Sequence, residues 1–189
     1  MEKTDEISAF KKEDALDTLD RTIGFVNNCD NKASIILGIH GVMITILLSN
    51  EGVIELKNIM KSAITDGTVF SAIYLIILFF ALTKLFYGIF KLLMVLFANT
   101  DCGDINQEDL ECDSKIFFGS ICKNSEFKQY KEKLLNLTEE DYMNDIISQI
   151  YINSVICNKK FDNYKAGIKE SIIGILSIVL IWGLGIIIY

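Results

Sequence analysis

Apolar residues in this chain gather into three long runs, and polar residues fill the blocks between them. The cleanest run is Ser171–Tyr189 (SIIGILSIVLIWGLGIIIY), 19 residues without a charged side chain. As a helix it spans ~28 Å, close to the ~30 Å hydrocarbon core of a bilayer. Ala33–Leu48 (ASIILGIHGVMITILL) is shorter, about 24 Å as a helix, and Asn31, Lys32 and Ser49 complete its ends at the interfaces. The third run, Val69–Ala98, exceeds a bilayer thickness. It places Lys91 at the interface and Lys84 deeper, with its long stem snorkelling outward. The pattern predicts transmembrane helices over 33–49, 69–98 and 171–189, the second extending into the aqueous layer.

The blocks between the runs carry helical periods. Residues 1–32 read as an amphipathic helix, with Leu16, Leu19, Ile23 and Val26 on one face. Residues 50–68 form a polar connector with room for a short helix. Residues 99–170 form a helical sensor-like region. Its acidic loop from Asp101 to Asp113 leads to IFFGSI at 116–121, and a helix is predicted over Ser125–Leu137. Thr138 followed by Asp141 is a capping-box-like start. From there Tyr142, Ile146, Ile150, Asn153, Cys157, Phe161 and Tyr164 recur at helical spacing, and the helix runs on into the last span, with Gly167 as the natural hinge. Proline, which breaks helices, is absent. The fold class is all-α: a membrane protein with three transmembrane helices and a helical cytoplasmic layer.

Charge sets orientation and narrows the partners. Lys plus Arg number five in 1–32, two in 50–68 and nine in 99–170. Basic excess marks the cytoplasmic side, so the N-terminus and 99–170 lie inside, 50–68 outside, and Tyr189 ends outside. The net charge of −7 argues against nucleic-acid polymers, which are bound through basic excess. A small nucleotide in a local basic pocket is compatible with it. The polar, acidic N-terminus lacks the features of a secretory signal, so the internal runs direct insertion. The five cysteines read as free thiols in a reducing compartment.

Few motifs suggest chemistry. His40, the single histidine, falls within the first span beside Gly38, Gly41 and Thr45, a small-residue face suited to close helix approach or a pore. It is either a neutral imidazole bonded across a helix interface or a group on an ion or proton path. Cys102, Cys112 and Cys122 are ten residues apart and lack zinc-ligand spacing. The acidic loop lacks the calcium-loop order of ligands. Phosphate-cradling glycine motifs and nucleophile–histidine sets are missing. The expectation is a non-enzymatic protein without metal or cofactor. Two polar clusters remain: Asp30 and Lys32 beside Asn28, and Gln149 and Asn153 with Lys159 and Lys160. Inward amides serve either helix–helix hydrogen bonds or a pocket that reads a base edge while lysine holds phosphate.

The stretches NCDNKASIILGI (28–39), IFFGSI (116–121) and LTEEDYMNDIISQIYINSVICNKKF (137–161), followed by a terminal span, resemble the Pycsar transmembrane effector family in order and spacing. The motif positions fall on Asp30, Lys32, Ala33 and Ser34, on Phe118 and Gly119, and on Gln149, Ser154 and Lys159 or Lys160. The resemblance implies a bacterial antiphage effector of the inner membrane. Such a protein works beside a cyclase that makes a cyclic pyrimidine mononucleotide upon infection, and it then impairs the membrane, the nucleotide either triggering it or holding it in check. Three spans in one monomer leave little room for a pore, so several copies are expected to act together. The expected partners are a cyclic nucleotide, the lipid bilayer and further copies of the chain. The alternatives are a ligand-free scaffold or anchor for a partner protein, and a small ion channel or transporter using His40 and Lys84.

Overall fold

The computed structural model describes residues 10–97, 105, 107 and 109–189. Residues 1–9 of the expected first helix, and Asp101 and Cys102 of the acidic loop, lie outside them. Among the described residues six helices follow in order: α1 (Lys12–Leu47), α2 (Asn50–Asp66), α3 (Val69–Leu96), α4 (Phe118–Ile121), α5 (Phe127–Leu135) and α6 (Glu139–Ile188). No strand occurs among the described residues. Helices α1, α3 and α6 are each long and apolar enough to cross a membrane. The all-α, three-span expectation is therefore met.

The chain divides into two compact units, Met1–Asn28 with Ala98–Lys159, and Cys29–Phe97 with Lys160–Tyr189. Helices α1 and α6 contribute a part to each. The amphipathic N-terminal helix and the first span, expected as separate pieces, form one helix of 36 residues. Nothing between Asn28 and Ala33 breaks a helix: no proline or glycine intervenes. The 50-residue α6 is likewise continuous through Gly167.

The first unit is held by Ala15, Leu19 and Ile146, with Leu16, Ile116, Tyr142, Met143 and Ile150 packed around them. Leu16 and Leu19 of the expected α1 stripe pack in this core. Ala15 and Leu19 face the core, whereas Ile23 is exposed. The start of α6 is the capping box expected at Thr138. Its hydroxyl accepts from the Asp141 backbone N–H at 3.1 Å and donates to Asp141 Oδ2 at 2.7 Å. These bonds, first the hydroxyl and then the Thr138 backbone N–H, hold the Asp141 carboxyl below its ordinary range.

The second unit contains the apolar parts of α1, α3 and α6, with α2 beside them. One cluster joins Cys29 and Ala33 of α1 to Leu92 and Val95 of α3. Another joins Leu78, Ala81 and Leu85 of α3 to Ile178 and Ile181 of α6, with Leu47 and Leu56 packed on it. Between α3 and α6 the backbones nearly touch. A side chain at Gly88 would strike the Ser171 backbone, one at Gly174 would lie 2.5 Å from the Leu85 nitrogen, and one at Gly167 would lie 2.7 Å from Leu92 Cγ. Gly167 therefore serves close packing inside an unbroken helix. The outward faces stay apolar: Phe70 is 84% exposed and Ile187 82%, surface suited to contact with lipid.

The connector is a full helix. Ser49 caps α2 through the Gly52 N–H, and Gly67 ends it in the left-handed conformation at φ 61°. Cys29, Cys122 and Cys157 form no disulfide, but Cys112 is disulfide-bonded. The expectation that every cysteine is free fails there, because spacing along a chain does not report which sulfur atoms meet in space.

Candidate functional site

One member of each polar cluster meets the other in the fold. The Lys160 ammonium donates to Asp30 Oδ1 and to the Val95 carbonyl, both at 2.6 Å. One buried lysine thus ties α1, α3 and α6 within the second unit. Lys160 is 7% exposed, and two of its three N–H donors are used in this way. Lys32 and Lys159 are exposed and join none of the ion pairs among the described residues.

Gln149 and Asn153 sit one turn apart on the first-unit part of α6. Gln149 is buried, and Asn153 Nδ2 donates to the Gln149 backbone carbonyl at 2.8 Å. Their neighbours Asp145 and Ser148 were not singled out by sequence, although the i, i+3 spacing from Asp145 and Ile146 puts both on the same buried face. The Lys115 N–H donates to Asp145 Oδ2 at 2.7 Å, and the Glu111 N–H to Ser148 Oγ at 3.1 Å. Tyr130 adds a bond from its hydroxyl to the Lys115 carbonyl at 3.0 Å. The segment 111–117 is thereby pinned to α6 beside Gln149. Asp145 is fully buried, and its second oxygen has no partner. The arrangement offers amide and hydroxyl groups suited to a planar polar ligand.

In the membrane-spanning part, His40 is 4% exposed. Its Nδ1 lies 2.7 Å from the Ile36 carbonyl of its own helix. A carbonyl only accepts, so Nδ1 is the donor in this contact. Nε2 is buried and unpartnered. The hydrogen bond expected across a helix interface is therefore local to α1. Gly38, Gly41 and Thr45 face away from this core: all three are exposed, and nothing lies within 4 Å of a Cβ built at either glycine.

Lys84 does not snorkel alone. Its ammonium pairs with Glu170 Oε2 at 2.6 Å and lies 5.4 Å from the Phe80 ring centroid. Glu170 escaped sequence reasoning because it was assigned to the soluble block. Lys91 donates to Asn163 Oδ1 at 3.2 Å. Among the described residues no group of His, Cys, Asp and Glu is placed to hold a metal.

The model of the Pycsar effector protein domain matches residues 14–188. The chain is 33% identical over 189 residues to the Pycsar effector protein GmPycTM of Gulbenkiania mobilis, covering 92% of each. It is 25% identical over 145 residues to the Pycsar effector protein EcPycTM of Escherichia coli, covering 77% of this chain and 74% of that one. No solved structure matches. The chain belongs to the Pycsar effector family, and the resemblance read from the three motifs is established.

Proposed function

We propose that this chain is an antiviral effector that responds to a cyclic nucleotide and, as an oligomer, impairs the bacterial inner membrane. Family membership over residues 14–188 supports the reading. The structural observation that carries it furthest is α6, one helix that bears both Gln149 and Asn153 and the seam of Gly167, Ser171 and Gly174 against α3. The sensor in this reading is the first unit, where Gln149 and Asn153 read the base edge and Lys159 holds phosphate. Asp30 and Lys160 hold the second unit together, and Lys32 is the remaining cation of that cluster. Basic bias orients the first unit toward the cytoplasm and Tyr189 outward. The role is non-catalytic.

Self-association is supported by the open face of α1. Ser34, Gly38, Gly41 and Thr45 recur at i, i+4, i+7 and i+11, all exposed, in a region where lipid would favour larger apolar residues. Three spans in one chain leave little room for a pore, so copies would line it together.

The test is a membrane-potential dye in cells expressing the chain, with and without a cyclic pyrimidine mononucleotide. Depolarisation only with the nucleotide is the expected result, and no change under any cyclic nucleotide sinks the reading. Calorimetry on the purified chain locates the site. Gln149→Ala with Asn153→Ala should abolish binding, and unchanged affinity moves the site elsewhere.

The ion-path alternative draws on the unpartnered Nε2 of His40 and the Lys84–Glu170 pair. It predicts ion flux through purified protein without nucleotide, lost on His40→Leu.

A further inference from the structure

Helix α2 has two apolar faces, and the protein covers one of them. Gly52, Ile59 and Ala63 are buried, while Val53, Met60 and Ile64 on the next strip of the helix are exposed. With Leu56, Lys57, Lys61 and Thr65 they form one open strip along the outer side of the helix. Lys57 and Lys61 stand one turn apart on its edge, and neither belongs to an ion pair among the described residues. The acids Glu51 and Glu55 fall on the opposite edge of the helix, where Glu55 accepts from the Trp182 indole at 3.3 Å.

The contacts of α2 fix what surrounds this strip. A side chain at Gly52 would lie 3.1 Å from the Trp182 ring, and one at Gly185 would lie 2.8 Å from Ile59. At the far end Asp66 accepts from Ser71, which is bonded to Tyr189. Between Gly52 and Asp66, roughly 21 Å of α2 lies beside only roughly 10 Å of α6, from Trp182 to Tyr189. Helix α2 therefore crosses α6 obliquely. Over the same stretch α6 is uncharged and its Leu184, Ile186 and Ile187 are exposed, so hydrocarbon extends alongside. An inclined helix at this depth, apolar on one side with lysines at the apolar edge, suits the boundary between acyl chains and headgroups.

We propose that the outer face of α2 is a binding surface for an anionic phospholipid. An acyl chain lies along Val53, Leu56, Met60 and Ile64, and the phosphate pairs with Lys57 and Lys61. The inference is independent of any nucleotide response.

Trp182, the single tryptophan, lies on the Glu55 edge of α2 and away from the lysine edge, so the reporter is Thr65→Trp in a Trp182→Phe background, beside Lys61 on the outer face. The purified full chain is placed in phosphatidylcholine vesicles containing either brominated phosphatidylglycerol or brominated phosphatidylcholine at equal mole fraction. Phosphatidylglycerol is expected to quench more strongly, with an association preference of about fivefold per lysine. Lys57→Gln with Lys61→Gln should bring the preference close to one, and Lys57→Arg with Lys61→Arg should retain it. Equal quenching in the parent chain, or a preference that survives the glutamine pair, overturns the proposal. Loss of the preference on adding inorganic phosphate at constant ionic strength overturns it in favour of a free anion. Efficient Met60→Cys cross-linking between copies overturns it in favour of a second chain.

Discussion

Helix α6 places Gly167, Ser171 and Gly174 against α3, where a side chain at Gly88 or Gly174 would collide with backbone. Helix α1 repeats the same spacing with Ser34, Gly38 and Gly41, continued by Thr45. There nothing lies within 4 Å of a Cβ at Gly38 or Gly41, and Thr45 spends its hydroxyl on the Gly41 carbonyl of its own helix at 2.9 Å. One seam is closed inside the chain and the other is open. Small residues in a membrane helix permit close helix approach. The closed seam uses that permission for folding, so a function for the open one has to lie outside the single chain.

Filling the closed seam should have the largest effect. Gly174→Leu or Gly88→Leu drives a side chain into backbone that cannot yield, at a cost of about 3 kcal/mol or more. Thermal unfolding in detergent should show loss of the folded form. Gly41→Leu on the open stripe should leave the midpoint within a degree or two. A Gly41→Leu chain that fails to fold would erase the distinction between the two seams.

Next comes the charge beside the closed region. Lys160→Met removes the donor to Asp30 and to the Val95 carbonyl and leaves an acid facing an apolar neighbourhood. Breaking a buried pair costs roughly 3–5 kcal/mol, and the one-third exposure of Asp30 favours the lower end. Lys32→Met, at an exposed site two residues from Asp30, should stay within about 0.5 kcal/mol. Chemical denaturation of the two variants side by side checks the difference.

The open stripe itself is tested by association. Gly38→Leu with Gly41→Leu should weaken self-association about tenfold, or ~1.4 kcal/mol, with the fold intact. Light scattering across a detergent dilution series measures it. An unchanged mass distribution removes α1 from the contact between copies.

Much of this contrast was hidden in the sequence for physical reasons. Run length and hydropathy revealed the spans, because a bilayer imposes a thickness on any helix crossing it. The Thr138 cap was legible because its partners are three residues apart. The pairing of Lys160 with Asp30 spans 130 positions and that of Lys84 with Glu170 spans 86, and periodicity carries no record of such distant meetings. The small residues of α6 recur at i, i+4 and i+7, but the same pattern on α1 leads to an open face. Spacing shows that a close approach is possible and leaves its partner unspecified. At the candidate ligand site, Gln149 was legible as an inward amide. Asp145 and Ser148 were passed over because acids and serines on a helix usually face water, and here each accepts a hydrogen bond from the backbone of the segment 111–117.

The smallest expected effect lies where the closed seam ends. Asp66 Oδ2 accepts from Ser71 Oγ at 2.6 Å and from Thr68 Oγ1 at 2.7 Å, and Tyr189 bonds to Ser71 at 2.8 Å. Those hydroxyl bonds, Ser71 first and Thr68 second, hold the Asp66 carboxyl below its ordinary range. A lowered carboxyl contributes stability that is present above its unfolded pKa and is lost as pH falls through the folded one. The end of the seam should therefore loosen only in acid, below about pH 4, and be unaffected near neutrality. Hydrogen exchange of the Thr68–Ser71 turn at pH 7 and pH 3.5 measures this local opening. Asp66→Asn keeps the shape and removes the titration, so its turn should exchange at the same relative rate at both pH values after correction for intrinsic chemistry. If the variant keeps the acid-dependent opening, the responsible carboxyl lies elsewhere, and the closed seam has no titrating latch at this end.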